Sequence, residues 1–527
     1  MVAKTFRGLE EVLAEELRQL GAQDVMPGNR MVSFRGDKAM LYKANMWCRT
    51  ALRILKPFYT FKASDPDTLY DRTKAFDWSS LMNADKTFSI DSTVYSEEFR
   101  NSQFVTYRVK DAIVDWFRDH EADEKRPRVR LDGADIMLNV HISGRDVTLS
   151  LDSSGESLHK RGWRRQQTEA PINEVLAAGI ILKSGWRGET PFVDPMCGSG
   201  TFLIEAALIA ANIAPGIYRK QFAFETWPDF DADLLDEIYN DDSAERTVEV
   251  PIIGADIQQR ALEITAENAK GAGVDQYISL TKRPIAEWKE APKPAGVLIT
   301  NPPYGKRITA DDMGALYRSI GTTLKHVFLG YHAWIIGYND DYFHEIGLAP
   351  SQKFDMNNGG LECELREYVI FEGTKRDFRA AGGRIKDERP EREERPRRDA
   401  RPGRPGADER PRRDRDRDAK GRRDERPDRA PRREKPGERF GSKPGERFGG
   451  RPGERFGGRP GERPERPARD NNRRDDSAEE APRERKPLSL RGFGRTPSIS
   501  ADKEIVLNRP VWRTRKKKNT DNNDNKE

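Results

Sequence analysis

From residue 161 to 375, short and almost uninterrupted apolar runs alternate with helical stretches, a rhythm with few structural solutions. The runs are Phe192-Val193, Pro251–Ala255, Ala295–Thr300 and Ala333–Ile336; the helical stretches are Thr201–Asn212, Gln259–Lys270 and Leu316–Phe328. Strands that are apolar along their whole length are buried on both faces, and parallel strands need a helical crossover between them. The pattern therefore predicts α/β architecture with a doubly wound parallel sheet. Residues 1–160 read differently. An amphipathic helix over Gly8–Leu20, a helix over Ser102–Phe117 and alternating strands over Thr87–Val94, Ile136–Ile142 and Val147–Leu151 predict an α+β module.

After Lys375 the composition changes to Arg, Asp, Glu, Pro and Gly. An eight-residue unit recurs from Lys435, Lys443 and Arg451, with one aromatic in each copy (Phe440, Phe448, Phe456) and no aliphatic residue. Such a unit cannot bury a core, so 376–527 is expected to be a disordered tail. Of the 93 Lys and Arg residues, 48 lie in this tail with 32 of the 88 Asp and Glu residues, a net of +16; the remainder is net −11. An acidic body thus carries a basic tail. Arg for phosphates and Phe for stacking make the tail a candidate RNA contact, against the alternative of a solvated linker. Near its end, Lys503–Leu507 and Trp512 beside a basic run read as a short docking segment.

No apolar run approaches the length of a membrane span. Cys48, Cys197 and Cys363 are odd in number and widely separated, and the six histidines are scattered. Neither a disulfide framework nor a metal site is expected, and the chain reads as cytoplasmic.

The chemistry is concentrated in two loops. Asp194-Pro195-Met196-Cys197-Gly198-Ser199-Gly200-Thr201 runs from a strand through a glycine turn into an apolar helix. It lacks the third glycine of a dinucleotide loop and the Lys of a P-loop, and Asp194 would repel a phosphate while accepting a cation. The next strand ends in Asp256-Ile257, with a carboxylate placed for ribose hydroxyls. A cationic, ribose-bearing ligand fits S-adenosylmethionine. Asn301-Pro302-Pro303-Tyr304 follows the fourth strand. If the strand order is 3-2-1-4-5, Asp194 and Asn301 face one crevice. An exocyclic base amine is a poor nucleophile because its lone pair is delocalised. The Asn301 side-chain oxygen and the Pro302 carbonyl can hold its two N–H groups, with Pro303 stiffening the turn and Tyr304 stacking on the base.

These loops resemble motif I and the catalytic tetrad of class I methyltransferases, which implies a Rossmann-like domain. By that resemblance Asp194, Pro195, Cys197, Gly198, Gly200, Thr201, Asp256 and Ile257 bind S-adenosylmethionine. The tetrad alone is shared with DNA, RNA and protein-glutamine methyltransferases. Thr5–Leu17 resembles the ferredoxin-like segment that precedes a THUMP domain, Arg100–Gln103 with Val109–Val114 resembles the THUMP core, and His159–Arg164 with Ala170–Ala178 resembles the joint to the catalytic domain. The arrangement over 1–375 is similar to the L-type half of the bacterial large-subunit rRNA guanine-N2 methyltransferases. It implies a ferredoxin-like segment (1–41), a THUMP domain (42–153), a basic linker (154–169), a methyltransferase domain (170–375) and the tail (376–527). Two departures stand out. Lys282-Arg283-Pro284 replaces the acidic residue that often reads adenine, and the tail stands where fused relatives carry a second methyltransferase, implying one methyl mark.

Candidate RNA contacts are Arg100, Lys110, Arg126, Arg128 and Arg130, and above all the linker cluster Lys160, Arg161, Trp163, Arg164 and Arg165. The acidic insert 213–250 carries Phe222, Phe224 and Trp227, which either shape the base pocket or pack. The expected activity is guanine-N2 methylation of 23S rRNA. The alternatives are the same chemistry on tRNA, or an RNA chaperone with a vestigial cofactor site.

Overall fold

The computed structural model describes residues 1–373 apart from 122–123, 170, 304–309, 339 and 359–360, together with 378 and 380. Apart from 378 and 380 the tail, with its repeats, lies outside the described residues, as does Tyr304.

The front of the chain comprises β1 (Val2–Lys4), α1 (Glu10–Gln19), β2 (Gln23–Gly28), β3 (Met31–Arg35), α2 (Lys38–Trp47), β4 (Arg53–Lys62), α3 (Pro66–Lys74), β5 (Thr87–Tyr95), α4 (Ser102–His120), β6 (Arg128–Val129), β7 (Ile136–Ser143) and β8 (Asp146–Asp152). Its strands form one eight-stranded sheet, ordered β2-β3-β1-β4-β8-β7-β5-β6. The ferredoxin-like segment and the THUMP region therefore share a single sheet, joined where β4 pairs with both β1 and β8. Local chemistry sets the helix starts. Asn101 accepts from the amides of Gln103 and Phe104 at the head of α4, while Asp37 and Asp65 cap α2 and α3. Val105, Val109, Ala112, Ile113, Trp116 and Phe117 then lie on one buried face of α4.

The second half comprises α5 (Glu174–Lys183), β9 (Phe192–Asp194), α6 (Thr201–Ala210), α7 (Ala232–Asn240), β10 (Ile252–Asp256), α8 (Gln259–Gly271), β11 (Ile278–Lys282), β12 (Val297–Thr300), α9 (Ala310–His326), β13 (His332–Gly337), α10 (Asp340–Glu345), β14 (Gln352–Asn358) and β15 (Leu361–Val369). The sheet order β11-β10-β9-β12-β13-β15-β14 contains the anticipated 3-2-1-4-5 arrangement, parallel throughout, and extends it by an antiparallel hairpin. Asp194 and Asp256 thus end neighbouring strands, and Asn301 follows the strand on the other side of β9. Apolar clusters cover both faces of this sheet. No helix among the described residues is long and apolar enough to cross a membrane.

Among the described residues, the places where the halves pack into each other include two that matter here. Leu9, at the start of α1, seats against Gly179 in α5, where a Cβ would meet a Leu9 methyl at 2.4 Å. The insert between α6 and β10 belongs to the front core: Phe222, Phe224, Trp227, Leu235 and Ile238 are buried in that cluster, and Phe224 stacks on Tyr42 of α2 with centroids 4.2 Å apart. Its aromatics therefore pack the front module and do not line a base pocket.

Candidate active site

The carboxyl ends of β9, β10 and β12 open into a cleft of about 370 Å³. Asp194, Pro195, Cys197, Gly198, Thr201, Asp256 and Ile257 line it, as do Asn301, Pro302 and Pro303. Two loops separated by about a hundred residues meet here because β9 lies between β10 and β12. Gly200 stands just behind the wall. Its φ of +82° is the left-handed conformation, and a Cβ there would meet the Thr265 methyl at 2.5 Å, so the turn requires glycine. As the N-cap of α6 it supplies no side chain to the helix's first amides. Those donors keep their capacity for a ligand.

Asp194 is buried and accepts from Thr300 Oγ1 at 2.8 Å and from the Met196 amide at 3.2 Å. Burial raises its carboxyl to about 7; the two hydrogen bonds oppose the shift and the charge of Asp256 adds to it. Asp256 has its carboxylate fixed by the amides of Gly198 (3.0 Å) and Gln258 (2.8 Å) and is half-buried at the cleft edge. Burial pushes the Cys197 thiol well up, and its sulfur lies 3.9 Å from Thr265 Oγ1, so this residue packs the loop and is no thiolate nucleophile. The side-chain oxygen of Asn301 is buried with no hydrogen-bond partner among the described residues. A lone buried acceptor is costly to retain, and here the residue that carries it lines the cleft.

Asp194 gives a pH prediction. Its folded-state value lies above that of the unfolded chain, so between roughly pH 4 and 7 the folded protein binds the extra proton. Stability contributed by the neutral form is complete below that window and is lost as pH rises through about 7. In the ligand-free protein, urea unfolding should show stability falling by a few kcal/mol across the window, with Asp194→Asn flattening the fall. Equal slopes in both proteins would contradict this account.

The linker corrects an expectation. Arg161 and Trp163 are buried, and Arg161 pairs with Glu205 at 3.2 Å inside the protein. The half-buried Arg164 pairs with Glu174 at 2.6 Å. These three residues therefore present no grip for RNA: their charges or rings are consumed by the interior. Lys160 and Arg165 are exposed, with Lys160 paired to Glu156 at 2.9 Å. In the front module Arg100, Arg126, Arg128 and Arg130 are exposed, and Lys110 is half-buried beside Asp111.

Sequence reasoning missed several cleft residues. Thr168, Glu169, Pro171 and Ile172, in or just after the linker, line the cleft, as does Ile285; Arg283 and Pro284, which the sequence marks only as a departure at the adenine position, line it as well. Thr300 was also missed, although its place one residue before the asparagine turn could have marked it.

Three family models match the chain: an RlmL ferredoxin-like domain over 1–55, a THUMP domain over 63–152 and an RMKL-like methyltransferase domain over 161–367. A Synechocystis protein named as the RNA methyltransferase slr0064 is 41% identical over 372 residues, covering 70% of this chain and 96% of its own length. The ribosomal RNA large subunit methyltransferase K/L of Photobacterium profundum is 37% identical over 396 residues, covering 73% of this chain and 55% of its own length. The chain thus spans about half the length of the K/L relative. Among solved structures, SMU.472, described as a methyltransferase complexed with SAH, matches with a TM-score of 0.62 and 32% identity, covering 71% of this chain and 98% of that one. With three adjoining models in the same order and a relative matched over nearly its whole length, the chain belongs to the family of RNA methyltransferases that carry an RMKL-like methyltransferase domain behind RlmL ferredoxin-like and THUMP domains.

Proposed function

We propose that the chain transfers a methyl group from S-adenosylmethionine to the exocyclic N2 of a guanine in 23S rRNA. The single observation that carries this reading is that Asn301, whose buried side-chain oxygen has no partner among the described residues, lines the same cleft as Asp194 and Asp256. An acceptor without a partner awaits a donor, and an exocyclic amine brings two.

The residues present fit the cofactor. Asp256 would take the ribose hydroxyls, the glycine turn and the uncapped start of α6 would take the methionine end, and buried Asp194 would face the positive sulfonium side. No acidic residue stands directly after β11, where Arg283, Pro284 and Ile285 follow. The Arg283 amide is instead turned back onto the Asp256 carbonyl at 3.1 Å, and Ile257, Pro284 and Ile285 offer apolar surface to the adenine. When bound, the cofactor supplies an electrophilic methyl group. Asn301 Oδ1 and the Pro302 carbonyl orient the amine and favour its pyramidal form, and the prolines hold those acceptors in place before the substrate arrives. The stacking role of Tyr304 rests on sequence alone.

The relatives' names support RNA, and the K/L name supports the large ribosomal subunit. The test is transfer of labelled methyl from S-adenosylmethionine to 23S rRNA, tRNA and DNA, followed by nucleoside analysis. N2-methylguanosine confined to 23S rRNA is expected. Label in tRNA, in DNA or on adenine would overturn the substrate assignment, and RNA annealing without any transfer would favour a chaperone. The Arg-rich tail is proposed as an additional RNA contact. Its deletion should shallow the dependence of RNA affinity on salt, and an unchanged slope would remove it from the interface.

A further inference from the structure

The cofactor turn is held from outside the catalytic domain's own sheet. Arg164 belongs to the segment that leaves the front module, and its guanidinium reaches three partners at once. Nε donates to Glu174 Oε1 at 2.6 Å, Nη1 to Ser199 Oγ at 3.1 Å and Nη2 to Thr201 Oγ1 at 2.9 Å. The two hydroxyls flank Gly200, the N-cap that offers α6 no side-chain bond, and both residues line the cleft. A second clamp lies alongside. Asn268 Nδ2 donates to the carbonyls of Gln166 and Ser199, while its Oδ1 accepts from the amides of Arg165 and Gln166. The same segment continues into Thr168 and Glu169 on the cleft wall.

Resting on the cofactor reading above, we propose that Arg164 is a positioning residue for the S-adenosylmethionine site, a fork from the interdomain segment that fixes the hydroxyls of Ser199 and Thr201. Only arginine has a planar fork able to reach three acceptors at these angles; lysine keeps the charge and loses the geometry. The bonds also settle direction. A hydroxyl oxygen that accepts from Arg164 has its own proton left to donate, which suits a turn proposed to receive a carboxylate. Glu174 balances the guanidinium, which would otherwise sit unfavourably beside the positive end of α6. The cluster that the sequence offers as an RNA grip is in this account a cofactor support, and it makes the shape of the turn depend on the seating of the interdomain segment.

The test uses the full chain with Arg164→Lys and Arg164→Met. Calorimetric titration with S-adenosylmethionine in the absence of RNA should show Kd raised about tenfold for lysine and more for methionine, as expected for loss of charge-assisted hydrogen bonds. In turnover, KM for the cofactor should rise in step while KM for RNA stays within about twofold. A raised KM for RNA with an unchanged cofactor Kd would overturn the proposal and return Arg164 to the RNA surface. Should Arg164→Met fold poorly, Ser199→Ala with Thr201→Val supplies a cycle with Arg164→Lys. Strong non-additivity in cofactor Kd is expected, and additive effects would overturn the proposal. Should Arg164→Lys fold poorly too, Ser199→Ala with Thr201→Val must itself raise the cofactor Kd, and an unchanged Kd overturns the proposal. Wild-type protein that does not bind S-adenosylmethionine would sink the cofactor reading itself; wild-type binding that the Arg164 variants leave intact sinks this inference alone.

Discussion

Asn301→Ala should lower turnover by about 10²–10³-fold, the scale seen when one preorganised polar group is removed from an active site, and leave the Kd for S-adenosylmethionine within about twofold. The asymmetry follows from position. Asn301 follows β12, and its side-chain oxygen is buried with no partner among the described residues. No hydrogen bond among the described residues uses that atom, so its loss should be felt where an amine must be held. Asp256→Ala should show the reverse split. The carboxylate is already fixed by the Gly198 and Gln258 amides, and it would take the ribose through its remaining lone pairs. Its removal should weaken cofactor binding about tenfold or more while turnover at saturating cofactor is much less affected. Titration calorimetry beside single-turnover methylation separates the two. Parallel loss of both quantities in Asn301→Ala would end its assignment as an acceptor for the substrate.

The second large effect is on stability. Arg161→Met should destabilise the protein by about 3–5 kcal/mol, the range for removing one partner of a buried ion pair. Arg161 donates to Glu205 from inside the protein, and its other bonds run to the carbonyls of Leu158 and Arg49. Without it the Glu205 carboxylate is left in a site whose burial already raises its carboxyl above the ordinary range. The folded state then favours the protonated acid, so stability is better retained at low pH and lost as pH rises, and the defect should be larger at pH 8 than at pH 5. Arg161→Met combined with Glu205→Leu removes both charges and should recover much of the loss. Urea unfolding of the single and double variants decides it. A single variant within about 0.5 kcal/mol of wild type, the scale of an ordinary surface change, would show that the pair carries little.

The catalytic framework was legible because its signals are local. Continuous apolar strands demand a buried parallel sheet, glycine and proline mark the turns after them, and carboxylates at strand ends fall at the crevice for geometric reasons. The linker was misread because a basic residue looks the same in sequence whether it faces water or a buried acid. Glu205 lies 44 positions beyond Arg161, and nothing near the linker announces it. The insert was ambiguous for a related cause. Its acids marked it as surface, yet its apolar residues fit a helix-lined hollow formed by residues nearly two hundred positions earlier, Tyr42 among them. Polar β2, exposed along almost its whole length, carried no alternation by which to find it.

That hollow has a consequence for how such a protein can be divided. A catalytic fragment begun at residue 161 would carry Phe222, Phe224, Trp227, Leu235 and Ile238 with no cover, a greasy face of the kind that drives clumping. The front piece alone would expose the matching cavity. Each half thus completes the other's interior, so the two depend on each other to fold.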